Sequence, residues 1–276
     1  MKKKTKIMAG IVAFILIGGI LWFANGLVGN PISKMLANKS AEKYVKETYK
    51  DMDLEISKAN YNFKNGRYYV YVKSPTSIDT HFSLDISPTG KIVDDYYENN
   101  VLGKFNTWNR INSEYRSIVE DVFDSNDFPY ESDISFGEII DKRSTEPTTD
   151  NRPFVPNYGL DFNTLEIGKI YDIKELGKSA GHIVLYIDDN QVSSERASEI
   201  LLDIKDILDK ADVPFYTIDF TLSEKRTGNA DIDRDRKTFA VSEFLYSDIY
   251  EKDLQIRLEK SAKLLQDYYD QEDAKR

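Results

Sequence analysis

Four groups of residues in this chain have types and spacings that could do chemistry. Gly177-Lys178-Ser179-Ala180-Gly181 has the Gly-x-Ser-x-Gly spacing of a hydrolase nucleophile, and His182 follows directly. That motif works when a sharp strand-to-helix turn exposes the serine. Here a capped helix (Asp172, with Glu175 three residues on) runs in and a β-branched strand runs out, so the order is reversed. The glycines read as a helix position and a helix stop, and adjacency of Ser179 and His182 does not supply Ser–His geometry. The two histidines, His81 and His182, could ligate zinc with carboxylates, but they fall in different domains, which argues against a shared metal. Asp231, Asp233 and Asp235 have calcium-loop spacing. The sixth and twelfth positions are Arg236 and Ser242, not Gly and Glu, so the segment reads as a solvated hairpin tip. Asp94 and Asp95 could pair for acid–base work on sugars beside Tyr96, Tyr97 and Glu98, but strand alternation sends them to opposite faces. The expectation is therefore no catalytic residue, no metal site, no cofactor and no enzymatic activity. The 18 tyrosines could line a sugar- or peptide-binding face, although sheet pairs and core are the usual place for them.

Composition narrows the setting. The chain has 276 residues, 41% of them hydrophobic, which suits a packed protein of one large or two small domains. Its formal charge of −10 argues against nucleic acid as a partner. Zero cysteines remove disulfides, thiol catalysis and thiolate metal sites.

Residues 1–6 form a basic tail with lysines at 2, 3, 4 and 6, and residues 7–28 form an apolar run without charge. The run predicts one transmembrane helix, a signal anchor longer than a cleaved signal peptide needs, with no clean small-x-small cleavage site after it. The lysines place the N-terminus in the cytoplasm and the rest outside the cell membrane. The membrane is then the first partner, reached through this helix.

The elements beyond it predict two small α+β domains, each an antiparallel sheet packed with helices. In the first, residues 31–124, a helix begins at Pro31. Strands follow at 54–63, 67–73, 78–86 and 92–97, with a hairpin signal at Asn65-Gly66. A last helix carries the stripe Val101, Phe105, Trp108, Ile111, Tyr115, Ile118 and Val122, with Trp108 buried at its centre over this sheet. The second domain, residues 133–270, has strands at 134–140, 182–187, 214–222 and 237–246. Helices are expected at 194–210 and from Leu254 onward. The α-β-β-β-β-α order of the first domain is similar, at a coarse level, to cystatin-like and PepSY-like extracytoplasmic modules, a likeness of architecture alone.

A more specific resemblance rests on several segments together. They are the basic tail and apolar run, Gly29-Asn30-Pro31-Ile32-Ser33, Tyr44-Val45, Asp79-Thr80-His81-Phe82 and Trp108-Asn109-Arg110. In the second half they are Asp172-Ile173-Lys174-Glu175-Leu176, Gly181-His182-Ile183 and Val213-Pro214-Phe215-Tyr216. The chain resembles the YfjL-like family, uncharacterised membrane-anchored proteins of Gram-positive bacteria, over nearly its whole length. The resemblance implies two domains and an extracytoplasmic place, and carries no catalytic residues. The functional expectation is a non-catalytic binding or regulatory module of the cell envelope, with an envelope protein or cell-wall partner. The alternative is an anchored hydrolase of wall polymers or peptides.

Overall fold

The computed structural model describes residues 2–146, 155, 157–228 and 236–275. The chain divides into two compact units, Met1–Thr107 with Glu166–Gly168, and Trp108–Leu165 with Lys169–Arg276.

Residues Lys2–Val28 form one helix, α1. Among the described residues, no helix is long and apolar enough to cross a membrane. The transmembrane helix and signal anchor expected over residues 7–28 are therefore not supported by the described residues, and the fold is α+β with two sheets.

In the first unit, Asn30 caps helix α2 (Pro31–Thr48), accepting from the N–H groups of Ile32 and Ser33, with Pro31 in the first turn. The sheet runs β1 (Glu55–Ile56), β3 (Arg67–Lys73), β4 (His81–Ile86), β5 (Ile92–Asp95), and β2 (Asn60–Asn62) also pairs with β3; all pairs are antiparallel. The strand expected at 54–63 is thus two short strands on one edge of β3. Ala37, Ala41 and Val45 share one face of α2 and lie against Tyr68, Val70 and Val72 of β3 and Phe82, Leu84 and Ile86 of β4. Two alanines in that stripe let the helix approach the sheet closely, and the alternation of β3 and β4 turns every other residue to the opposite, outer face.

The second unit is built on β6 (Glu131–Ile139), β7 (Gly181–Asp189), β8 (Thr217–Glu224) and β9 (Thr238–Leu245), in that spatial order. The outer pairs are antiparallel, but β7 and β8 run parallel, so the sheet is mixed where an antiparallel one was expected. Helix α5 (Ser194–Lys210) supplies the crossover that a parallel pair requires. Its stripe Ala197, Ile200, Leu201, Ile204 and Leu208 is fully buried against Ile183, Leu185 and Ile187 of β7 and Ile218, Phe220 and Leu222 of β8. Helix α6 (Leu254–Asp273) adds Leu254 and Leu258 to the same core.

Helix α3 (Phe105–Phe123) is the second correction. Its apolar stripe, Ile111, Tyr115, Val119 and Phe123, is buried in the second unit's core, and Trp108 packs half-buried against that core with its ring 5.8 Å from that of Phe162. The domain boundary therefore falls near residue 107 and not at 124–133. The helical period of the stripe was legible, but a period states only that a face is apolar, not which sheet it will cover.

Candidate functional site

The Gly-x-Ser-x-Gly segment is explained by packing. Ser179 lies exposed in the last turn of α4 (Ile173–Ala180), its Oγ 3.5 Å from the Leu176 carbonyl, at the long limit of a hydrogen bond. The glycines make room for a ring. The Tyr115 side chain is fully buried and its hydroxyl donates to the Pro214 carbonyl at 3.0 Å. A Cβ at Gly177 would come within 2.9 Å of Tyr115 Cε2, one at Gly181 within 2.5 Å of its Oη, and one at Gly137 within 2.9 Å of its Cε1. Three glycines from β6, α4 and β7 thus form the slot of one tyrosine.

His182 turns away from Ser179, on the sheet face opposite the core. Its Nδ1 lies 2.9 Å from Thr217 Oγ1, and Thr217 in turn donates to the Tyr158 hydroxyl at 3.1 Å. His182 Nε2 lies 3.6 Å from Asp219 Oδ2. Opposite Asp219 the register slips. Ile218 faces Phe244 and Phe220 faces Val241, so Ser242 and Glu243 both stand against one residue. This is a β-bulge, and Glu243 adopts φ +47° within it. Both bulge residues serve Asp219 Oδ1, the Ser242 hydroxyl at 2.8 Å and the Glu243 N–H at 2.6 Å. Burial pushes the Asp219 carboxyl up, but the hydrogen bond and charge of His182, with the Glu243 N–H and Ser242, outweigh it and hold Asp219 below the usual range. The contacts from Glu243 and Ser242 are the shorter and firmer ones. Glu243 goes the other way. Burial raises it, offset in part by the Val155 N–H that donates to Oε2 at 2.6 Å. Burial likewise pushes the Tyr158 phenol well above its ordinary value.

The first unit carries a second polar cluster, on the outer face of its sheet. Tyr71 of β3 faces Ser83 of β4, and the N–H of Tyr96, the residue after β5, donates to the Ser83 carbonyl at 3.2 Å, so Tyr71, Ser83 and Tyr96 form one row. The neighbouring row is Tyr69, Asp85 and Asp94. Arg67 bridges the carboxylates, with NH1 at 2.7 Å from Asp94 and 3.3 Å from Asp85. Asp85 is 2% exposed, and its Oδ1 is buried without a hydrogen-bond partner. That burial raises the Asp85 carboxyl, partly countered by Arg67. The charges of Asp85 and then Asp94 push the Tyr96 phenol upward. His81 borders the patch, its ring 5.7 Å from that of Tyr71, and desolvation lowers it.

Asp94 and Asp95 take opposite faces, as alternation requires. Asp94 meets Arg67 on the outer face, whereas Asp95 accepts the hydroxyls of Tyr44 and Tyr49 at 2.9 and 2.7 Å beneath α2. Glu98 begins a π-helical turn, Glu98–Leu102. His81 and His182 belong to different units. Asp231, Asp233 and Asp235 lie outside the described residues, and among the described residues no group of three or more histidines and acids is placed to hold a metal. Asp219, Glu243, Tyr158, Arg67 and Asp85 were not singled out by the sequence. No spacing marks them, because a bulge on β9 and cross-strand registers bring them together.

Comparison with known proteins agrees with this two-unit division. Residues 4–96 match the YfjL-like N-terminal domain and residues 114–259 the YfjL-like C-terminal domain. The chain belongs to the YfjL-like family. The N-terminal match ends before α3, and the C-terminal match takes α3 up from residue 114, its buried stripe from Tyr115 on included. No curated protein and no solved structure matches the chain.

Proposed function

We propose that the protein is a non-catalytic binding or regulatory module whose working surface is the outer face of the first sheet. The observation that supports this is the tyrosine-lined row over the Arg67–Asp85–Asp94 network. There, exposed rings (Tyr71 45% and Tyr96 36%) stand beside a buried carboxylate with an unpartnered oxygen. Aromatic rings with polar tips beside fixed charges are the makings of a recognition surface. The His182 cluster fits a structural role. The hydroxyl nearest its ring, Thr217, is fully buried and shared with Tyr158, where a nucleophile would have to reach substrate.

One observation favours hydrolysis as a second reading. Asp219 and Glu243 are neighbouring carboxyls shifted in opposite directions, the arrangement that separates a base from an acid. The test is a panel of ester, peptide and glycoside substrates with the native chain and Glu243→Gln. The binding reading expects no turnover that differs between the two. Turnover present in the native chain and lost in Glu243→Gln would transfer the function to the second unit.

A further inference from the structure

The geometry points to a cation site on this face: the Tyr71–Ser83–Tyr96 row receives a primary ammonium or guanidinium group carried on a basic polypeptide. This rests on the binding role proposed for the face and names the ligand for it. Tyr71 on β3 and Tyr96, just past the end of β5, flank Ser83 of β4. At ~4.8 Å per strand their backbones stand about 10 Å apart, a spacing that admits one side chain over the small Ser83. The faces of those rings are electron-rich, and a cation between them is attracted by both.

The charges beside the row carry the same sign of preference. One guanidinium, Arg67, is set against two carboxylates, Asp85 and Asp94, so the patch is left with a net negative charge. Glu55 and Lys73 at its margin cancel one another at 3.1 Å. Asp85 Oδ1 is a buried acceptor with no donor, a deficit that a positive charge nearby compensates and a neutral ligand does not. The upward push that Asp85 and Asp94 exert on the Tyr96 phenol is the same negative potential felt at the row. The Asp94 side chain, 47% exposed, is the carboxylate an arriving cation can touch. A polypeptide is favoured over a free amine because the chain's formal charge of −10 adds long-range attraction that grows with the number of charges on the partner.

The experiment uses the full chain and four probes: acetylated tetralysine amide, tetraglutamate, a neutral N-acetylglucosamine tetramer, and n-butylammonium. Affinity is measured by calorimetry at low and moderate salt. Tetralysine should bind, with affinity falling as salt rises. Tyr71→Ala with Tyr96→Ala, and separately Asp94→Asn, should each weaken it about tenfold or more, as the loss of cation–π or charge contacts implies. All three side chains are well exposed, and unchanged circular dichroism checks that the fold is kept. Tetralysine binding that the variants leave unchanged overturns the proposal. So does n-butylammonium binding as tightly as tetralysine, which would make the ligand a small amine. The sugar tetramer binding in place of tetralysine, with loss in the tyrosine variant, overturns the cation assignment while the face stays a binding surface. No probe responding to any variant removes both the cation site and the binding role of the face.

Discussion

Gly137→Ala is the sharpest test of how the second unit is packed. Gly137 lies in β6 with an ordinary backbone, so alanine meets no torsional penalty there. What it meets is side chains: the new Cβ would stand 2.5 Å from Val119 Cγ2 and 2.9 Å from Tyr115 Cε1. Carbon atoms prefer about 3.5–4.0 Å, so Val119 must give by roughly 1 Å. Val119 is fully buried and β-branched, with little rotamer freedom to give it. Overpacking of this kind costs about 1–3 kcal/mol. For a unit of this size that is a fall in Tm of about 2–4 °C per kcal/mol. Val119→Ala alone removes two methyl groups, about 1.6 kcal/mol of transfer energy plus a cavity term. In the double variant the methyl at position 137 occupies space that Val119 has vacated. The pair should therefore be less destabilising than the sum by about 1 kcal/mol or more, a coupling expected of residues in contact. The assay is urea unfolding followed by Trp108 fluorescence in a Trp22→Phe background, since Trp108 packs against this core. Strict additivity would show that α3 does not lie on β6 as described, and that the tyrosine slot is misplaced.

Ser179→Ala should change stability by less than about 0.5 kcal/mol, and a fluorophosphonate probe should not label Ser179; labelling seen by peptide mapping would revive the nucleophile reading. Trp108→Ala should lower the second unit's unfolding free energy by roughly 1–3 kcal/mol, less than a fully buried tryptophan costs, and leave amide exchange in the first sheet unchanged; loss of protection in β3 and β4 would return α3 to the first unit. Asp219 and Glu243 should show opposite pH dependences. A folded carboxyl held below its ordinary 3.8 contributes stability above that pH and loses it as pH falls through the folded value, so the cost of Asp219→Asn should be full at pH 7 and shrink as pH falls below 3.8. A folded carboxyl held above its ordinary 4.5 subtracts stability as pH rises from that value through the folded one, so Glu243→Gln should stabilise at pH 7 and not at pH 4. Parallel pH profiles for the two variants in chemical unfolding would refute the assignment.

Local pattern determined much of this protein. Asn30-Pro31 and Asp172 with Glu175 wrote the helix starts, the Tyr–Val alternation of residues 67–73 wrote a half-buried strand, and the α5 stripe wrote its buried face. These signals survive because capping and periodicity act within a few residues of their cause. Alternation alone separated Asp94 from Asp95, since successive strand residues cannot share a face. Three things were decided only by tertiary structure. Which core α3 joins depends on long-range packing of Ile111, Tyr115 and Val119, and an apolar stripe fits any apolar surface of the right shape. The parallel pairing of β7 with β8 depends on where α5 delivers the chain, which strand composition does not encode. The clusters around Asp219 and Asp85 depend on register and on two bulges, one at Ser242–Glu243 and one in β5 between the partners of Asp85 and Ile86, where a shift of a single residue would send every carboxylate to the other face.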